Sequence, residues 1–138
     1  MNACGKTYTI REISEMFSLP SSTLRYYEEL GLLTDVGRTQ NRQRIYTQAH
    51  INRLHAVMCF KRTGLPIAKI ADFFEYEKEL PAHIDDILQL MTGHEKNTLR
   101  QLQELTCDLE HIRKKVRYYT ALRESFRSGA PCPDYESV

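Results

Sequence analysis

The sequence predicts a mainly α-helical chain: a head of short helices with a small β-hairpin wing, then one long coiled-coil helix. Three observations predict it. The stretch TLRYYEELGLL, Thr23 to Leu33, reads as a short helix with a glycine stop. The basic segment RTQNRQRIY, Arg38 to Tyr46, is centred on Asn41, a residue that tolerates turn conformations. From Ile84 to Phe126 apolar residues recur at 4-3 spacing, filling ten of thirteen seam positions.

Size and composition bound the reading. A chain of 138 residues with 41% hydrophobic residues makes one domain plus an extension. Its expected division is a head over residues 1–80, a helix over 81–127 and a short tail over 128–138. No apolar run reaches the roughly 18 residues that span a bilayer, so no membrane role is expected. No apolar signal-like segment stands at the N-terminus, so the expected location is cytoplasmic. The four cysteines, Cys4, Cys59, Cys107 and Cys132, are scattered without a CxxC pair, so neither a zinc module nor a disulfide framework is suggested.

The net charge of +1 hides an asymmetry. Residues 1–71 hold ten basic and five acidic residues, a net +5, while residues 72–138 hold nine and thirteen, a net −4. No acidic residue lies between Asp35 and Asp72. A basic first half on an acidic second half suits a polyanion-binding head on a different kind of body.

Taken in order, Thr9-Ile10-Arg11-Glu12 fits a capping box, and Ile10, Ile13, Met16 and Phe17 make the apolar stripe of a first helix. The segment SLPS, residues 18–21, breaks it. In the second helix Arg25, Tyr26 and Glu29 share an exposed face, with Leu24, Tyr27 and Leu30 on the apolar side, and Gly31 suits a left-handed stop. Two short helices with a tight turn form the helix-turn-helix pattern. Guanidinium and phenol groups on one short helix suit phosphate and base contact. On the wing, Arg38, Arg42 and Arg44 can straddle a phosphate backbone, with Tyr46 as a hydrogen-bonding anchor. Thr47 caps a third helix with Ile51, Leu54, Val57 and Met58 inside, and Gly64 ends it. Lys61 and Arg62 complement its dipole. Pro66 suits the first position of a fourth helix with Ile67, Ile70, Ala71, Phe73 and Phe74 on its apolar side.

The long helix spans roughly 60–65 Å at 1.5 Å per residue. A head this small cannot bury so long a stripe, so the stripe requires a partner helix, most simply that of a second copy. Gly93, Glu95 and Thr98 weaken the start of the seam, which is expected to pack on the head instead.

These motifs, in this order, carry a family resemblance. T-L-R-Y-Y-E-x-x-G-L-L at Thr23 to Leu33, R-x-Y at Arg44 to Tyr46 and G-L-x-I-x-x-I at Gly64 to Ile70 resemble the MerR family of bacterial transcription regulators. The resemblance implies a winged helix-turn-helix head and an antiparallel coiled-coil homodimer. It implies a pseudo-palindromic operator in double-stranded promoter DNA, distorted on effector binding so that RNA polymerase engages both promoter elements. By motif match, Arg25 and Tyr26 carry groove and phosphate contacts, and Tyr27, Arg44 and Tyr46 contact the backbone. Two departures stand out. Asn41-Arg42-Gln43 replaces the family's frequent Asn-Gly-Tyr, and Pro20 replaces its Ser/Thr cap.

The cysteines bear on the branch. A family branch responsive to thiol stress and aldehydes carries one Cys shortly before the G-L motif, and Cys59 stands five residues before Gly64. His55, four residues earlier, shares its helix face. A metal-responsive reading would use Cys107 and Cys132, and the start of the long helix lacks the Cys that the metal sensors carry there. Alternatively, the chain is a coiled-coil interaction protein that does not bind DNA. An enzyme built on Cys59 and His55 lacks an orienting Asp or Asn, so no catalysis, cofactor or resident metal is expected.

Overall fold

Regular structure begins with a two-residue strand, β1 (Tyr8–Thr9), that runs straight into α1 (Ile10–Phe17). The computed structural model describes residues 5–138, so Cys4 lies outside the described residues. The predicted capping box is present: Thr9 Oγ1 accepts the Glu12 backbone N–H at 3.1 Å, and Glu12 accepts the Thr9 N–H at 3.0 Å. Ser18, at φ 53°, turns the chain towards α2 (Ser21–Glu29). Pro20 precedes that helix and offers no side-chain cap.

A Schellman turn ends α2, with Gly31 N–H donating to Glu28 O (3.1 Å) and Leu32 N–H to Tyr27 O (2.9 Å). Gly31 adopts φ +79°, where a Cβ would be strained. The turn drives Leu32 and Leu33 into the core and leaves Leu30 at 37% exposure, so Leu30 is not the core residue its spacing suggested.

The wing forms where expected, from β2 (Gly37–Arg38) and β3 (Arg44–Tyr46), antiparallel with Arg38 opposite Arg44. Two details differ from expectation. The left-handed residue of its turn is Arg42, at φ +62°, not Asn41. The hairpin is also part of a three-stranded sheet of order β1-β3-β2, with Tyr8 opposite Tyr46. A two-residue strand is too short to show a period, so β1 leaves no pattern in the sequence.

Helix α3 (Gln48–Arg62) stops at Gly64, φ +86°, in a second Schellman turn, and α4 (Ile67–Glu77) follows. Pro66 caps α4 rather than opening it. The core joins Ile13, Leu24, Tyr27, Leu33, Leu54, Ile70 and Phe74 from α1, α2, the turn after α2, α3 and α4. Ile51 and Val57 are buried as expected and Met58 is half-buried.

Helix α5 (Leu80–Ser128) carries one non-helical residue, His83, at φ −120° and ψ 15°. The chain forms two compact units, one ending at Thr92 and one running from Gly93 to Val138. In the first, Leu90 and Met91 pack against the core, while the seam residues Ile84 and Leu88 stay exposed; Gly93, Glu95 and Thr98, which were expected to pack on the head, belong to the second unit. In the second, the chain after Gly129 folds back along α5, where the sequence suggested only a helix stop. Tyr135 meets Tyr118 edge-on at 5.1 Å between ring centres, and Lys114 lies 4.7 Å from the Tyr135 ring centre. Ser125 Oγ donates to the Pro131 carbonyl at 3.0 Å. Leu102, Leu105, Ile112 and Val116 remain 56–65% exposed. Among the described residues, no helix is long and apolar enough to cross a membrane.

Candidate nucleic-acid interface

The face that joins α2 to the wing is built on a single carboxylate. Glu28 leaves the inner side of α2 and accepts Arg44 Nε at 2.6 Å on one oxygen and Arg38 Nη2 at 3.1 Å on the other. The two arginines sit opposite each other on β3 and β2, so Glu28 fastens both wing strands to the helix. Glu28 and Arg44 are only 24% and 22% accessible, and a short charge-assisted bond in that setting contributes on the order of 1 kcal/mol. Sequence reading missed this role, although Glu28 lies inside the quoted motif, because the pairing spans sixteen residues.

Arg25 and Tyr26 project from α2 as predicted, Tyr26 at 43% exposure. Arg25, Arg42, Gln43 and Arg44 line one groove of about 500 Å³ together with residues 9–11. The groove unites the start of α1, the exposed side of α2 and the wing tip. Arg42 is exposed and makes no ion pair among the described residues. Its left-handed backbone costs about 1–2 kcal/mol relative to a right-handed one. The turn that holds it there is tight: Thr39 N–H donates to Gln43 O (2.8 Å), Arg42 N–H to Thr39 O (2.9 Å) and Gln43 N–H to Thr39 Oγ1 (3.1 Å).

The two remaining tyrosines of the expected contact set face inward. Tyr27 is 3% exposed, and its hydroxyl accepts a 2.8 Å hydrogen bond from Lys61 Nζ at the end of α3. Lys61 therefore ties α3 to α2, beyond the dipole role its position suggested. Together with Ser22, Thr23, Tyr26 and Ile67, the pair borders a second groove of about 470 Å³ beside α2. Tyr46 is fully buried, so it is not the exposed anchor the wing reading made it. Tyr8 stands opposite it on β1, and the His50 ring of α3 meets its ring edge-on with centres 5.6 Å apart. The Tyr46 hydroxyl is buried with no hydrogen-bond partner among the described residues. Burial pushes its pKa above the ordinary 10.0, Arg44 pulls it down and Glu28 adds to the rise.

Two further side chains, unmarked by any sequence signal, hold this face in place. His50 is buried; its Nδ1 accepts the Thr47 N–H at 2.9 Å, and its Nε2 lies 2.7 Å from the Thr34 carbonyl. That pair of bonds requires the neutral Nε2–H tautomer. Arg53 Nε donates to the Leu32 carbonyl, Nη2 donates to Gly31 O at 3.4 Å, and the guanidinium stacks 4.0 Å from the Phe74 ring centre. Burial lowers its pKa, with Glu77 and Asp35 acting in the other direction. Both residues brace the turn after α2, which needs donors for its freed carbonyls.

Cys59 and His55 are exposed on α3, so Cys59 is not a core cysteine. The His55 ring packs against Phe17 with centres 5.0 Å apart. Cys107 and Cys132 are exposed free thiols in the second unit. Among the described residues, no three His, Cys, Asp or Glu side chains are grouped to hold a metal ion.

Comparison with known proteins agrees with this geometry. A family model described as MerR HTH family regulatory protein matches residues 8–77. An uncharacterized HTH-type transcriptional regulator of Haemophilus influenzae is 31% identical over 113 residues, covering 82% of this chain and 84% of that protein. The HTH-type transcriptional regulator CueR of Escherichia coli O6:H1 is 24% identical over 131 residues, covering 94% and 92%. Among solved structures, HiNmlR, a MerR family regulator lacking the sensor domain and bound to promoter DNA, superposes with a TM-score of 0.77 at 29% identity, covering 86% of this chain and 90% of that one. With the family model over more than half of the chain and a relative above 30% identity over most of it, the chain belongs to the MerR family of HTH regulatory proteins.

Proposed function

We propose that the chain is a transcription regulator that binds a pseudo-palindromic promoter duplex as a homodimer. One observation carries this reading: Arg25 of α2 and Arg42 and Arg44 of the wing line one exposed groove. An exposed arginine and tyrosine on a short helix beside a basic hairpin match a helix in the major groove with a wing on the flanking phosphates. The likeness to a family member bound to promoter DNA supports it. Arg25, Tyr26 and Arg42 make the direct contacts. Arg38 and Arg44 add charge while holding the wing, and Tyr27 and Tyr46 form the floor beneath.

Dimerisation is through α5. Leu102, Leu105, Leu109, Ile112, Val116 and Tyr119 leave a continuous apolar stripe uncovered, and an identical antiparallel helix covers it. Effector action then distorts the operator so that RNA polymerase engages the promoter. The effector reading places electrophile, aldehyde or thiol stress at Cys59, supported by an accessible thiol with His55 one turn away. A metal response through Cys107 and Cys132 is the second reading, favoured by the exposure of both thiols.

The test is footprinting on the chain's own promoter region with a salt titration. A protected pseudo-palindrome and a steep log–log salt slope are expected. Absence of duplex binding at low salt would leave the coiled-coil interaction protein as the better reading.

A further inference from the structure

The three wing arginines are not equivalent. Arg38 and Arg44 both end on the Glu28 carboxylate, at 3.1 and 2.6 Å. Arg42 at the tip is exposed, ends on no carboxylate among the described residues and lines the same groove as Arg25. Its backbone sits at φ +62°, a conformation that glycine adopts freely and arginine does not. Three hydrogen bonds between residues 39 and 43 keep it there. The fold thus holds an unpaired guanidinium, on a strained backbone, at the end of a stiff arm clamped at its base.

We propose that Arg42 is a specificity-determining residue that enters the minor groove flanking the recognition site and favours a narrow, A·T-rich one. The inference rests on the DNA-binding reading above. With α2 in the major groove, the wing lies across the neighbouring sugar–phosphate strand, and the base edges beyond that strand belong to the minor groove. A narrow minor groove concentrates negative potential and attracts an inserted cation. A guanidinium suits it better than an ammonium, because it is flat and gives up its hydration more readily. Arg38 and Arg44, fixed to Glu28, cannot make the same reach without leaving their partner.

The test uses the full chain and its footprinted operator in three forms, differing only in the base pairs under the wing: A·T, G·C, and inosine·C. Inosine lacks the 2-amino group, so its minor groove resembles A·T while its major groove presents G·C. Wild type is expected to bind the A·T and inosine duplexes about tenfold more tightly than the G·C duplex. Arg42→Gly, which relieves the strain and keeps the turn, is expected to bind all three alike, and Arg42→Lys to retain only part of the preference. Equal affinity of wild type for the three flanks overturns the proposal. So does an Arg42→Gly loss that is uniform across flanks and lowers the salt slope by about one, the signature of a phosphate contact. Two controls keep the readings apart: absence of duplex binding at low salt overturns the DNA-binding reading itself, whereas full affinity of Arg25→Ala overturns α2 as the reading helix and with it the placement of the wing on which this inference rests.

Discussion

Replacing Leu105 and Leu109 together by glutamate tests the dimer most directly. Both lie on the α5 stripe and are 65% and 42% exposed in the single chain, so in the proposed dimer that exposed surface is what the partner helix would cover. Burying a whole leucine side chain contributes about 1.5–3 kcal/mol, so the exposed fractions are worth on the order of 1 kcal/mol or more each. Symmetry doubles every substitution, and lost burial alone comes to roughly 4–6 kcal/mol. That weakens the dimer about 10³–10⁴-fold. Unpaired glutamates in a desolvated seam add several kcal/mol more. Sedimentation velocity over a wide concentration range is the assay, with operator binding measured in parallel. A monomer that has lost high-affinity operator binding is expected, since two half-sites are no longer held together. Gln103→Glu, which adds a charge of the same sign off the stripe, is expected to remain dimeric. A double variant with an unchanged dissociation constant would refute the α5 interface.

The other predictions concern the head. Arg25→Ala and Tyr26→Phe are expected to weaken operator binding with unchanged helicity, and Arg25→Ala to reduce the salt slope by about one; unaltered slopes count against α2 as the reading helix. Tyr46→Phe removes a buried hydroxyl that has no partner among the described residues, so it is expected to raise stability by on the order of 1 kcal/mol, seen as a higher urea midpoint. The same residue gives a pH effect. Its pKa is raised above 10.0, so the folded state holds the proton more tightly than the unfolded chain. That contribution is fully present below pH 10.0 and is lost as pH rises through the raised value, a loss that Tyr46→Phe abolishes. In a transcription assay with an aldehyde, a quinone and a nitrosating agent, Cys59→Ser is expected to lose induction, while Cys107→Ser and Cys132→Ser keep it. The reverse pattern moves the sensor to the second unit and favours the metal reading.

What could be read from the chain was local. Caps, glycine stops and 3.6-residue periods act over three to five residues, so Thr9–Glu12, Gly31 and Gly64 announced their helix ends before any packing was known. The exposure of Arg25 and Tyr26 followed from the same period, and the position of the wing from its turn residues and charge.

Tertiary structure decided whatever depends on residues distant in sequence. Glu28 reaches sixteen residues to Arg44, His50 sixteen to Thr34 and Lys61 thirty-four to Tyr27, and no periodicity encodes such pairs. The Glu28 pairs clamp two of the wing arginines and leave Arg42 without an ion pair among the described residues, though all three look alike in the sequence. Tyr46 shows the same limit from the other side. Its place in R-x-Y suggested an outward hydroxyl, but burial depends on what lies against a strand, and here β1 pairs along β3 through residues 8 and 9. The fold-back of the tail likewise rests on Tyr118 meeting Tyr135, a contact with no local signature. Local sequence determined which segments are helical, because each turn closes on its own neighbours. Packing determined which side chains pair across elements and which, like Tyr46, are covered from outside their own segment, because that depends on surfaces the chain brings together only when folded.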